Sequence, residues 1–309
     1  MVSGVGLAFV LLLQVAVSNA RGGILSSAAH ASARPRECAA LPFRSSLQWA
    51  TNVWDAARDP NLARYCDLLG QGFAQLPFSP ENARATADGA DRIAPGHAAP
   101  SVLRGRALSA AKRYREASVE FARAQSLDAQ SLDDPATMQE WARSLARTGR
   151  REEALGVYRL LGPRLSLVPS PDERERAFIE GAELALALGP GALDDAVAFL
   201  GEARQVGVYD LEWRVGTELA LAYERRDDGD HAAGVLVDLA RRFRKGWKPK
   251  VGGDSPEELA ALAFGIEGID PKQALDGWQR YLAAVGPQAP WAEHARRHVD
   301  ALRKKGRGA

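Results

Sequence analysis

The sequence predicts an all-α protein: an antiparallel helix-pair solenoid of about six irregular repeats with a capping helix at each end. Three observations predict it. Alanine, the strongest helix former and small enough to let helices touch, is abundant, whereas β-branched runs are scarce. Small residues recur at one spacing along most of the chain. Ser-Pro or Asp-Pro steps fall where the helices should begin.

Length and charge set the bounds. A chain of 309 residues, 46% hydrophobic and 26% charged, is ordinary globular material. Its 40 Lys and Arg nearly cancel 39 Asp and Glu, a balance that argues against nucleic acid as the partner.

The chain starts with an apolar run from Val5 to Val17, followed by Ser18 and Ala20, with Arg21 the first charge. The run is shorter than the ~18–20 apolar residues that span a bilayer, so residues 1–20 read as a cleaved signal peptide. No Lys or Arg precedes it, and an uncleaved anchor is the alternative. Export, to a bacterial periplasm, is the expected destination. Residues 21–36, rich in Ala, Ser and Gly, read as a flexible lead-in; 37–305 as one repeat domain; 306–309 as a disordered tail. The two cysteines, Cys38 and Cys66, have neither CxxC nor metal spacing, and in an exported chain an even pair reads as one disulfide. A helix around Ser46–Arg58, with Trp49 and Trp54, would cap the first repeat.

The repeats follow. Ala83, Ala87, Ala90 and Pro95 open the series; Ala117, Phe121 and Ala124 repeat it, after Gly105 and Leu108. A third copy has Ala142, Leu145, Ala154, Tyr158 and Leu161, and a fourth Ala182, Ala196, Leu200 and Ala203. A fifth has Leu219, Ala220, Tyr223, Ala233, Val237 and Ala240, and a sixth Ala274, Trp278 and Tyr281. Small residues let the two helices of a pair meet, and the large one fills the space beside them. Ser79, Ser170, Ser255 and Asp270 each precede a Pro at the first helical position. Gly149, Gly189 and Gly229 stand where a left-handed residue should close a first helix. The final helix, Trp291–Lys304, should bury Trp291, Ala295, Val299 and Leu302.

Over residues 60–285 this pattern resembles the tetratricopeptide-repeat family. The resemblance implies a non-catalytic scaffold that holds a partner protein or peptide in a concave groove lined by first helices. By that geometry Arg106, Arg143 and Arg147 face inward, where they would suit carboxylates. The family's clamp for carboxyl termini pairs Lys with Asn, and those asparagines are absent here.

Three clusters carry alternative chemistry. His294 and His298 stand four apart, a metal-binding spacing, but Ala295 follows His294 where a zinc protease has Glu, and no third ligand is evident. They read as two histidines on a polar surface, so no metal or other cofactor is expected. Ser255, in Gly253-Asp254-Ser255, hints at a hydrolase, yet the following Pro256-Glu257-Glu258 makes it a helix cap. Arg241, Arg242, Arg244, Lys245, Lys248 and Lys250 surround Trp247, reading as a solvated helix end or, alternatively, as a surface for polyanions or anionic membranes.

Overall fold

The structure, a computed structural model, describes residues 35–39, 60–242 and 255–307. The expected signal peptide, the helix near 46–58 and the basic-cluster residues Arg244, Lys245, Trp247, Lys248 and Lys250 lie outside the described residues. Among those described, all secondary structure is helical. They form two compact units that divide between Thr148 and Gly149.

The first unit opens with a helical turn, α1 (Arg36–Ala39), then α2 (Pro60–Gln75), α3 (Pro80–Ile93), α4 (Ala99–Ala110), α5 (Tyr114–Leu127) and α6 (Pro135–Arg147). Short loops force neighbouring helices to run antiparallel, and α4 also packs on α2 and on α6, so the pairs stack. The small residues do what their spacing predicts. Ala83, Ala87 and Ala90 are fully buried along α3, as are Ala117, Phe121 and Ala124 along α5. Cys38 of α1 is disulfide-bonded to Cys66 of α2. Beside this bridge the buried Tyr65 hydroxyl donates to Glu37 Oε1 at 2.6 Å.

The second unit holds α7 (Arg151–Leu161), α8 (Pro171–Leu188), α9 (Leu193–Val206), α10 (Glu212–Arg225), α11 (Gly229–Arg242), α12 (Pro256–Ile266), α13 (Pro271–Val285) and α14 (Ala292–Arg307). A 3-10 turn, Gly162–Leu167, links α7 to α8. The last helix buries Trp291, Ala295, Val299 and Leu302, as expected, and the Trp291 indole donates to the Leu186 carbonyl of α8 at 2.7 Å. It continues to Arg307, past the start expected for the tail.

Caps hold at three of the four Ser/Asp-Pro starts. Ser170, Ser255 and Asp270 accept from the backbone N–H three residues on. Ser79 makes no such bond, although its own N–H is tied to the Gln75 carbonyl at 2.8 Å just as that of Asp270 is tied to Ile266. Gly149 and Gly189 do take positive φ, at 87° and 104°. Gly229 instead starts α11, and the left-handed residue at that turn is Asp227, φ 59°.

The fifth repeat departs from the expected register. Ala233, Val237 and Ala240 are exposed, while Ala232, Val235 and Leu239 are buried. The cause is Gly216 on α10. A Cβ there would lie 2.7 Å from both Leu239 methyl groups, so α11 turns Leu239 into the gap the glycine leaves. A one-residue change of register rotates the buried stripe by about 100°.

Candidate functional site

The three arginines read as an inward cluster do not act together. Arg106 on α4 reaches α6, where its Nε and Nη2 donate to the two carboxylate oxygens of Glu140 at 3.1 and 3.3 Å. Asp134 lies 3.9 Å from Nη1, and the Phe73 ring 5.9 Å below the guanidinium. With only 12% of its side chain exposed, Arg106 is an internal strut between neighbouring first helices. Arg143 and Arg147 are exposed, three and seven residues beyond Glu140 and therefore on the same side of α6. Arg104, which sequence reasoning passed over, is buried among Asp88, Asp91 and Glu120 at 3.0–3.2 Å. Nothing in its local spacing distinguishes it from a surface arginine.

The second unit contains an open groove of about 890 Å³ alongside α8, α9 and the 3-10 turn. Pro163, Val197, Ala198 and Val206 give it accessible apolar surface, over a floor of the buried Phe178, Phe199 and Leu165, the two rings 6.5 Å apart. Its rim is ionic: Arg159 grips Asp195 through two hydrogen bonds of 2.7 and 2.8 Å, with Glu202 and Arg174 nearby. Gly201 opens onto it, and a Cβ at that position would meet nothing within 4 Å. Apolar walls with a few placed charges suit an extended peptide carrying an apolar anchor.

The histidine pair differs most from its sequence reading. His294 is buried, and His298 keeps 16% of its side chain exposed. Neither lies on a polar surface, because α14 turns both toward α10 and α12–α13. His294 Nε2 hydrogen-bonds Glu224 Oε2 of α10, and His298 Nε2 lies 3.5 Å from Glu224 Oε1. His298 Nδ1 meets Glu267 Oε1 at 2.7 Å, and the Trp278 indole donates to that same oxygen at 2.7 Å. The Trp278 ring stacks on His298, centroids 4.6 Å apart. Burial pushes the Glu224 carboxyl up, but hydrogen bonds and charge from both histidines outweigh it and hold it down at about 2. Burial likewise depresses His298, and its bonds to Glu224 and Glu267 overcome that to raise it to about 9. Glu224, His294 and His298 place three ligand atoms within 4.8 Å of one another, so a third candidate ligand does exist. It sits 70 residues from His294 in sequence, beyond the reach of any spacing rule.

Ser255 is a cap, its Oγ accepting from Glu258 N–H at 3.1 Å. Arg241 and Arg242 end α11, and the rest of the basic cluster lies outside the described residues.

The stacked pairs and terminal helix define a helix-pair repeat protein of the type that the sequence resembles. Compared with known protein families the chain finds no match, and compared with curated proteins it finds none either. Among solved structures it is similar to Pseudomonas aeruginosa PilF: 16% identity, TM-score 0.46, covering 78% of this chain and 99% of that one. It is also similar to Acl4, an assembly chaperone of RpL4: 15% identity, TM-score 0.48, covering 78% and 99%. With the tetratricopeptide domain of P58(IPK) the values are 12%, 0.32, 84% and 71%. Likenesses this distant carry nothing about partners, and the class rests on the helix pairs themselves.

Proposed function

We propose that this chain is an exported, non-catalytic scaffold that binds a partner protein or peptide in the groove of its second unit. The observation that supports it most is the groove itself. Its apolar walls and paired ionic rim, on a frame of packed helices, suit a rigid docking surface rather than a reaction centre. Arg143 and Arg147, exposed on α6 of the first unit, are a separate candidate contact for carboxylates, whereas Arg106, bonded to Glu140 and 3.9 Å from Asp134, serves the fold.

The periplasmic envelope is the proposed setting. The apolar run Val5–Val17 with small residues after it, and the Cys38–Cys66 bridge, both suit an oxidising exported compartment.

Gly201→Trp tests the reading. It fills open space, removes a mid-helix glycine and should leave the fold intact. Crosslinking in native envelopes should recover a partner with the wild-type chain and lose it with Gly201→Trp. A partner retained in full by a folded Gly201→Trp protein would refute the groove as the binding surface.

A further inference from the structure

We infer that Glu224, His294 and His298 form a binding site for a divalent transition-metal ion of the zinc class, which would clasp the last helix onto α10. Two imidazoles and a carboxylate are a donor set zinc accepts. The two imidazoles are one helical turn apart on α14, and the carboxylate comes from another helix, so a bound ion would bridge α10 and α14.

The surroundings favour coordination over an isolated ion pair. A metal-bound histidine is held best when its second nitrogen donates to a carboxylate. His298 has that arrangement: Nδ1 faces Glu267 at 2.7 Å, Glu267 is fixed by the Trp278 indole, and Nε2 points at Glu224. Stacking on Trp278 sets the plane of the ring. His294 lacks such an orienting partner; its Nδ1 is buried with no hydrogen-bond partner. Losing one such contact costs roughly 10–100-fold in affinity, so this site should be weaker than a fully supported one.

The geometry needs one adjustment. Tetrahedral ligands at 2.0–2.1 Å from zinc stand roughly 3.4 Å apart. His294 Nε2 and Glu224 Oε2 are in direct hydrogen bond and must separate, a movement open to Glu224, which is a quarter exposed. Three protein ligands leave a fourth position for water or a side chain of the partner.

The test uses the purified chain, tag removed, stripped with EDTA and titrated with zinc sulfate. The expected result is one equivalent of zinc bound and a melting temperature raised by several degrees. Glu224→Gln, which keeps the side chain's volume, should abolish both responses. Glu267→Gln, outside the ligand set, should weaken binding about 10–100-fold while keeping the stoichiometry. Cobalt should give a tetrahedral visible spectrum in the wild type and not in Glu224→Gln. His294→Ala should likewise lose zinc, and if that variant unfolds, Glu224→Gln decides. Zinc binding equal in wild type and a folded Glu224→Gln would overturn the site, as would failure of the stripped wild type to take up zinc.

Discussion

Gly105 faces the ring of Phe121 so closely that a Cβ at position 105 would lie 2.8 Å from ring atom Cε1. Phe121 is fully buried, so its ring has nowhere to turn. The same close approach recurs between Gly181 and Phe199, where the distance would be 3.2 Å. In both pairs the glycine sets how near the two helices come.

Gly105→Ala should therefore destabilise the first unit. Overpacking costs about 1–3 kcal/mol, and the gain in helix propensity offsets only about 0.5–1 kcal/mol. Urea unfolding should show a lower midpoint. Gly201→Ala, in open space, should show an unchanged or higher one.

The Cys38–Cys66 bridge, closing a sequence separation of 28 residues, should contribute about 3–4 kcal/mol by restricting the unfolded chain. A Cys38→Ser, Cys66→Ser double variant should unfold at lower urea than the oxidised wild type. Dithiothreitol should bring the wild type down to the variant's midpoint and leave the variant unmoved.

Arg225 and Glu257 form a buried ion pair at 2.5 Å, the guanidinium lying 4.8 Å from the centre of the Trp291 ring. Removing one partner strands the other's charge, at a cost of about 3–5 kcal/mol. Arg225→Met should be severely destabilised, and adding Glu257→Leu to it should recover most of the loss. Losses that simply add across this double-mutant cycle would show that the two residues are not coupled.

Arg214 meets three carboxylates: Glu183 of α8, Glu218 of α10 at 2.9 Å, and Glu258 of α12 at 3.2 Å. Burial above all, then the charge of Glu183, lifts the fully buried Glu218 well above the usual carboxylate range despite Arg214. An acid with a raised folded pKa contributes stability that is full below the unfolded value, near 4.3, and lost as pH rises through the folded one. Glu218→Gln is neutral at every pH. Its stability relative to wild type should thus increase between pH 4 and pH 7.5, measured by urea unfolding at each. A relative stability that falls over that range would place the charge on Glu218 in the folded protein.

Local sterics made much of this fold legible. Ala83, Ala87 and Ala90 announce a seam because a helix brings those positions onto one side, and Ser170, Ser255 and Asp270 announce starts because Pro follows them. In the run His231-Ala232-Ala233 either alanine satisfies the pattern, and only Leu239 against Gly216 chooses between them. Polar pairing across helices was invisible. Arg106 to Glu140 and Arg225 to Glu257 lie 34 and 32 residues apart, about one repeat, and His294 to Glu224 lies 70 apart, but the small-residue pattern marks only the seams and not which polar side chains pair across them. Spacing rules therefore found the histidines and missed the carboxylate that completes the trio. They also grouped Arg106 with Arg143 and Arg147, although its charge is already met inside the first unit.

The most direct measurement compares partner capture by three folded proteins: wild type, Gly201→Trp, and Arg143→Glu with Arg147→Glu. Circular dichroism should be the same for all three. The expected result is one protein crosslinked reproducibly to the wild type in native envelopes, lost with Gly201→Trp and reduced in the charge-reversed variant. Equal recovery from all three, or no specific protein recovered from any, would contradict a scaffold that binds through these surfaces.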